Sequence, residues 1–374
     1  MMGTSVQYPW QVLLPPPEAG QPGIRLDGWL VRKHGEALLW LPAQPALARH
    51  TLRLYPAQTR RARWARQMLD WALRLGRPLG LAQASFMVRA DAPFLEALRT
   101  GLTPGAPLRF GIFCGNPRSP GRRFLFLRYT ASGRPDLVFK AGTGAAARVR
   151  WAGEVQMLRS VPAELLHTPA LLGLWEQDSF FAMIQAYVEG QTPRRSEAAP
   201  LASLLTEWID TQRCVPLNAL TAWNRMRELA AARSFPSAWL RRLESVSVHP
   251  VLFHGDLAPW NIRVQRKSGR WWVLDWERGQ RDGPPGWDWA YYLVQEAMLV
   301  RGWRTTQLLQ MLETWWSCPF ARSYFRQAGA DAIRQSLVAA GLLYHFLEWP
   351  PDEGSARWES LLGVLLTHPA VSGS

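Results

Sequence analysis

The chain has 374 residues, 48% of them hydrophobic, and a formal net charge of +14. This length and apolar content can bury one large or two moderate cores, which argues against a disordered chain. Three scattered cysteines argue against a disulfide framework or a cysteine-bound zinc ion and indicate a reducing compartment. The apolar stretch 337–349 is too short to span a bilayer, and residues 1–9 lack the basic start of a signal peptide. We therefore expect a cytoplasmic protein.

The first hundred residues carry patterns of regular structure. A hairpin is predicted from 25–31 and 37–41, turning about His34 and Gly35. A strand is predicted over 51–55, followed by a helix over 58–75. Residues 1–104 are therefore predicted to be a folded N-terminal extension of α/β character, to which the sequence assigns no role.

The predicted helix 58–75 is basic and amphipathic, with Trp64, Met68, Trp71 and Leu75 on one face. Such a helix can bind an anionic membrane or nucleic acid. The sequence favours a helix docked on the protein with a solvated charged face, because arginine is common throughout the chain. Nucleic-acid binding is not expected, since the two tryptophans lie on the apolar stripe instead of alternating with charge. Peripheral membrane contact stays open.

Strands are predicted over 108–113 and 123–129, and the segment between them contains Gly115 and Ser119. Another strand, 137–140, ends in Lys140, and a helix over 149–158 follows with Glu154. The segment 180–190 is predicted to be a strand running into a turn. Beyond it the pattern becomes helical, with helices predicted over 201–210, 219–231, 236–245, 287–300, 305–316, 330–347 and 356–367.

The most informative segment is His254-Gly255-Asp256-Leu257-Ala258-Pro259-Trp260-Asn261, which Asp275 follows at the end of an apolar strand. Strands over 261–264 and 271–274 are predicted to form a hairpin that brings Asn261 and Asp275 close together. Carboxylate and amide oxygens are ligands that Mg²⁺ prefers, and a nearby carboxylate can take a proton from an acceptor hydroxyl. This pattern indicates phosphoryl transfer.

The motif H-G-D-x-x-x-x-N, the aspartate ending the next strand and the downstream Gly286-Trp287-Asp288 resemble kinase-like phosphotransferases of the aminoglycoside phosphotransferase and choline kinase type. The resemblance implies an α+β, protein-kinase-like two-lobe fold. Residues 105–190 are then the nucleotide-binding N-lobe, and residues 191–374 the helical C-lobe with the catalytic loop.

The resemblance also implies residue roles. Asp256 is expected to be the catalytic base, Asn261 and Asp275 to bind Mg²⁺, and Lys140 to contact the α- and β-phosphates of ATP while paired with Glu154. Gly115 and Ser119 are candidates for the loop that covers the phosphates, although that loop is not G-x-G-x-x-G.

Other residues are given supporting roles. The resemblance places adenine near the backbone of 185–188, and Asp288 is expected to brace the catalytic loop. His254 is expected to pack and orient that loop rather than transfer protons. Glu277 is expected to be a solvated carboxylate, with contact to a second metal or the acceptor as the alternative.

The predicted activity is transfer of the γ-phosphoryl group of ATP to a hydroxyl of a small molecule. The absence of an acidic cluster in the C-terminal half tilts the acceptor away from a cationic aminoglycoside, but a sugar, glycan intermediate, amino alcohol or antibiotic stays open. The alternative is a non-catalytic nucleotide-binding protein that engages a protein or membrane partner through its basic N-terminal region.

Overall fold

The computed structural model describes residues 8–76, 80–115, 121–235, 238–348 and 355–367. The chain divides into two compact units. The first is drawn from Met1–Ala57, Arg61–Val155 and Pro169–Glu189, and the second from Gln58–Arg60, Gln156–Thr168 and Gly190–Ser374.

The strands, in chain order, are β1 Gly23–Leu26, β2 Gly28–Lys33, β3 Glu36–Pro42, β4 Ala82–Gln83, β5 Phe86–Arg89, β6 Arg109–Phe113, β7 Arg122–Tyr129, β8 Pro135–Thr143, β9 Leu171–Gln177, β10 Phe180–Ala186, β11 Val215–Pro216, β12 Ser247–Val248, β13 Val251–Phe253, β14 Ile262–Val264, β15 Trp271–Val273 and β16 Gln280–Gly283.

The α-helices are α1 Pro45–Leu52, α2 Arg60–Arg74, α3 Pro93–Arg99, α4 Ala145–Ser160, α5 Ala163–Leu166, α6 Ala198–Glu207, α7 Thr221–Ala232, α8 Ala238–Leu243, α9 Trp287–Gln295, α10 Thr305–Ser317, α11 Pro319–Gln327, α12 Arg334–Glu348 and α13 Ser355–Thr367.

The first unit is built on an antiparallel eight-stranded sheet in the order β4-β2-β3-β6-β7-β8-β10-β9. Strands from before and after residue 105 therefore share one sheet. Aromatic side chains fill its core, where Phe94 packs edge-on against Phe126 with ring centroids 4.9 Å apart. The roles assigned from sequence to 1–104 and 105–190 stay predictions.

The predicted N-terminal hairpin is confirmed as β2 and β3. Its turn places His34 and Gly35 at φ values of 52° and 83°, the left-handed pair that a tight antiparallel turn requires. The predicted strand over 51–55 is wrong, because Thr51 lies in α1. Pro45 fits the first turn of α1 because the N–H that proline lacks would have no partner within the helix there. The buried face of α1 carries Leu47, Ala48 and Leu52.

The second unit is mostly helical and has one large hydrophobic core. At its centre lies α12, in which every residue from Ser336 to Leu347 is buried. A helix that is apolar all round belongs in the interior of a protein, which accounts for the long apolar stretch in the sequence. Within the described residues, no helix combines the length and the apolar character needed to cross a membrane.

Short antiparallel pairs complete the second unit, namely β11 with β12, β13 with β16, and β14 with β15. The predicted hairpin that follows the H-G-D-x-x-x-x-N motif is confirmed as β14 and β15. The predicted α+β fold class is confirmed by a strand-rich first unit and a mostly helical second unit.

Candidate active site

The loop that follows β13 contains His254, Gly255 and Asp256, and ends in a turn of 3₁₀ helix at Pro259–Asn261 that leads into β14. Gly255 adopts φ +76°, and a Cβ at this position would lie 2.8 Å from the carbonyl oxygen of Arg278. Only glycine combines this conformation with so close an approach of two backbones. The glycine of the motif therefore sets the path of the loop.

Asp288, in the first turn of α9, braces this loop. Its buried carboxylate accepts hydrogen bonds from the backbone N–H groups of His254 at 2.6 Å and Gly255 at 3.0 Å. Burial raises the pKa of Asp288 to about 7, against the backbone hydrogen bonds that favour its charged form. The expected bracing contact is thus present.

The ring of His254 is fixed by both of its nitrogens. The Asp256 N–H donates to Nδ1 at 3.2 Å, and Nε2 lies 2.9 Å from the Leu274 carbonyl oxygen. Because that carbonyl can only accept, Nε2 carries the proton and Nδ1 does not. The ring also packs against Trp276, with centroids 4.7 Å apart. These contacts hold the loop to the segment that runs from the end of β15 through Asp275.

Asp256 is the carboxylate of the motif, and its side chain is 22% exposed. It accepts a hydrogen bond from the Tyr291 hydroxyl at 3.1 Å, and the nearest Arg278 nitrogen lies 3.8 Å away. Burial raises the pKa of Asp256 to about 6; Asp275 and Glu277 act in the same direction, whereas Arg278 and Tyr291 lower the pKa. A carboxylate with a pKa in this range can accept a proton near neutral pH.

Asn261 is bound to the loop through its amide group. Its Nδ2 donates to the backbone carbonyl oxygen of Asp256 at 2.8 Å, and the backbone carbonyl oxygen of Asn261 accepts from the Leu274 N–H at 2.8 Å. Because the Asp256 carbonyl can only accept, the amide nitrogen faces it and Oδ1 is turned away.

Asp275 follows Leu274 and adopts φ +71°, an uncommon conformation outside glycine that Asp tolerates better than most residues. Asn261 immediately precedes β14 and Asp275 comes two residues after β15, so both residues lie at the same end of one hairpin. Their side chains carry hard oxygen donors of the kind that Mg²⁺ prefers, and their binding of Mg²⁺ stays a prediction. No group of three or more His, Cys, Asp or Glu side chains suited to a metal is present in the described part of the chain.

Glu277 differs from expectation. Its side chain is only 8% exposed and its carboxylate lies 4.0 Å from Arg278, so the interpretation as a solvated carboxylate is wrong. It lies two residues after Asp275 and contributes to the raised pKa of Asp256.

In the first unit, Lys140 and Glu154 form an ion pair with Nζ and Oε1 2.6 Å apart. Lys140 lies on β8, in register with Leu125 of β7 and Met183 of β10, and Glu154 lies on α4 with a side chain only 5% exposed. The structure brings this predicted pair together. Its contact with phosphates stays a prediction.

The candidate phosphate-covering loop begins at Gly115, just after β6. Gly115 adopts φ +66°, and a Cβ there would lie 2.8 Å from the Arg123 carbonyl oxygen, so the backbone turns close to β7. Ser119 lies outside the described residues. The structure therefore places only the start of this loop.

The segment 185–188, which is expected to contact adenine, comprises the last two residues of β10 and the two that follow. Two of its backbone N–H groups already donate hydrogen bonds within the protein. The Ala186 N–H donates to the backbone carbonyl oxygen of Ala170 at 3.1 Å, and the Tyr187 N–H donates to the backbone carbonyl oxygen of Asp136 at 2.7 Å. Any adenine contact from this segment therefore falls to its other backbone groups.

Comparison with known proteins supplements this geometry. The chain matches no protein-family model and no curated protein. It is similar to solved structures of antibiotic phosphotransferases.

One of these is a thermostable mutant of an aminoglycoside phosphotransferase in ternary complex with ADP and hygromycin B, with 15% identity, a TM-score of 0.45 and coverage of 72% of this chain and 95% of that chain. An aminoglycoside phosphotransferase from Streptomyces rimosus has 15% identity and a TM-score of 0.42, and the match covers 68% of this chain and 98% of that chain. A macrolide 2′-phosphotransferase from Brachybacterium faecium has 18% identity and a TM-score of 0.41, and the match covers 74% of this chain and 99% of that chain. Similarity at this level carries no argument about activity or substrate.

Three residues around Asp256 were not singled out from the sequence. Tyr291 and Arg278 contact its carboxylate, and the buried His345 of α12 stacks on Tyr291 with ring centroids 3.9 Å apart. Burial holds the pKa of His345 well below its usual range, so the ring is neutral. A sequence signal existed for Tyr291, which lies three residues after Asp288 on the same helical face. His345 has no such local signal.

Proposed function

We propose that this protein transfers the γ-phosphoryl group of ATP to a hydroxyl of a small molecule. The observation that carries the proposal is the set of hydrogen bonds that connects Asp256, Asn261 and the residue before Asp275. Asn261 donates to the backbone of Asp256, and the residue before Asp275 donates to the backbone of Asn261. A single braced loop therefore presents a carboxylate base beside two hard oxygen ligands.

Asp256 is the proposed base. The Tyr291 hydroxyl and the Arg278 guanidinium orient its carboxylate, so that one oxygen can accept the proton of the acceptor hydroxyl. A neutral His345 stacked on Tyr291 supports the phenol without adding charge beside the base. Asp288 holds the loop through two backbone N–H groups, which keeps the base in position while substrates exchange.

Asn261 and Asp275 are the proposed ligands of Mg²⁺. Held by these two residues, Mg²⁺ would supply positive charge that offsets the negative charge of the phosphates. Lys140, oriented by Glu154, is proposed to bind the α- and β-phosphates. A lysine ammonium pinned by a largely buried carboxylate provides a fixed positive charge, which suits phosphate binding.

The acceptor is proposed only as a hydroxylated small molecule. Sugars, glycan intermediates, amino alcohols and antibiotics all supply such a hydroxyl, and fold does not choose among them. Release of ADP from MgATP, first with water alone and then with each compound class, tests the activity. The proposal predicts ADP release that depends on Mg²⁺ and is lost in Asp256→Asn. ADP release that persists in this variant would contradict the role of Asp256.

A further inference from the structure

One face of α2 indicates a binding function that is separate from the proposed phosphotransfer. The sequence favoured a helix docked on the protein with a solvated charged face. The structure docks α2 differently, since Leu73 is buried, Leu69 packs on the same small core, and the apolar stripe is exposed. The stripe consists of Trp64, Met68, Trp71 and Leu75, exposed by 65%, 54%, 64% and 62%; Leu75 directly follows α2 and continues its last turn through a hydrogen bond to Trp71.

This exposure is unusual within the molecule. Of the tryptophans that lie in described segments of the chain, only Trp64 and Trp71 are exposed, while the others are buried or half-buried. They are seven residues apart on one helix, so they project from the same face, with Met68 between them. Large apolar side chains grouped in this way indicate a surface that another apolar phase covers.

Positive charge lies beside the N-terminal end of the stripe. Arg60 and Arg61 are exposed and, at helical spacing, lie on opposite sides of the apolar face. The acidic residue of this helix, Asp70, is held by Arg49 at 3.0 Å and by Arg74 at 2.9 Å, so its charge is matched. The exposed face is therefore apolar along its middle and carries positive charge on both flanks at its N-terminal end.

We propose that the Trp64/Met68/Trp71/Leu75 face of α2 binds an anionic lipid bilayer surface. Indole rings favour the boundary between headgroups and acyl chains, aliphatic side chains enter the outer acyl region, and arginines on both flanks pair with lipid phosphates. The aliphatic Met68 and Leu75 complete a continuous apolar strip, which fits a lipid surface better than stacked bases. The protein binds peripherally through this face.

Sedimentation of the full-length protein with lipid vesicles tests the proposal, using phosphatidylcholine vesicles with and without phosphatidylglycerol. We expect binding to the anionic vesicles that weakens as salt is added. Trp64→Gln/Trp71→Gln is expected to weaken binding by about tenfold or more. Arg60→Gln/Arg61→Gln is expected to weaken it by roughly fivefold per charge, on anionic vesicles only.

Phe320→Gln is the matched control, because Phe320 is a large apolar side chain exposed by 51% on another helix. Vesicle binding by this variant should stay unchanged. The substituted side chains are exposed, so circular dichroism and the thermal midpoint should also match those of the wild type.

Three results would overturn the proposal. One is failure of the wild-type protein to bind anionic vesicles, and another is equal binding by the Trp64→Gln/Trp71→Gln variant. The third is a wild-type protein that does not bind vesicles but self-associates or binds a single-stranded oligonucleotide, together with a Trp64→Gln/Trp71→Gln variant that has lost that interaction. That result would assign the face to a second copy of the chain or to nucleic acid.

Discussion

The hydroxyl of Tyr291 donates a hydrogen bond to the carboxylate of Asp256 at 3.1 Å, and the ring of Tyr291 stacks on the buried His345. This contact joins the H-G-D loop to α9 and α12, elements that come later in the chain. The orientation of the proposed base therefore depends on the helical core of the second unit as well as on its own loop.

Replacement of Asp256 by Asn should separate binding from chemistry. The amide keeps the size of the side chain but cannot accept the acceptor proton, so transfer should fall by about 10²- to 10⁴-fold. The dissociation constant for MgATP should stay within about twofold, because the metal and phosphate contacts are unchanged. Steady-state ADP release and calorimetry measure the two quantities. Asp282→Asn, which changes an exposed carboxylate of the same unit, is the control and should match the wild type in both.

The pH dependence of kcat/KM should report the ionisation of Asp256. Its pKa is raised to about 6, and only the ionised carboxylate can accept a proton. Activity should therefore be low below this pH, rise as pH increases through it, and level off above it. Bound Mg²⁺ adds positive charge nearby and should shift the rise to lower pH.

Arg278→Gln tests the cause of this profile. Arg278 lowers the pKa of Asp256, so its removal should raise that pKa and move the acidic limb of kcat/KM to higher pH. A profile in Arg278→Gln that coincides with the wild-type profile would show that Arg278 does not set the ionisation of the base. Arg213→Gln, at an exposed site paired with Asp282, should leave the limb in place.

Loss of the Asp288 brace should lower stability. Asp288→Ala leaves the buried N–H groups of His254 and Gly255 without their acceptor, which should reduce the free energy of unfolding by about 2–4 kcal/mol. Urea denaturation measures this change through the midpoint. A midpoint equal to that of the wild type would mean that the loop holds its conformation without Asp288.

The Lys140–Glu154 pair should govern affinity for the nucleotide. Lys140→Met removes the proposed phosphate contact and should weaken MgATP binding by about tenfold or more, since a charge-assisted contact contributes about 1.5–3 kcal/mol. Glu154→Gln keeps the ammonium but loosens it, so its effect should be smaller. Glu176→Gln changes an exposed carboxylate of the same unit and serves as the control. Equal affinity in Lys140→Met and the control would remove Lys140 from the site.

The sequence predicted those parts of the molecule that local pattern determines. The hairpin of β14 and β15 follows from apolar runs around a polar turn, and the Lys140–Glu154 contact was inferred from their spacing within a resembled family. The longer helices with clear periodicity are also predicted, whereas α3, α5 and α11 are not.

Features that depend on tertiary packing were not available from the sequence. The sequence predicts a strand over 51–55, but burial of one face of α1, which includes Thr51 and Leu52, determines a helix through Leu52 instead. The choice of which face of α2 docks could not be read either, because Leu69 and Leu73 define a second apolar face opposite the tryptophans. The stack of His345 on Tyr291 joins distant segments and has no local pattern.

Calorimetric titration of the protein with ATP, in the presence and absence of Mg²⁺ and beside Asp275→Asn and the control Asp282→Asn, tests the central claim most directly. The account predicts binding that requires Mg²⁺, weakens by about tenfold or more in Asp275→Asn and is unchanged in the control. ATP binding that is indifferent to Mg²⁺ and to Asp275→Asn, or no ATP binding at all, would contradict the assignment of this hairpin as a metal-nucleotide site.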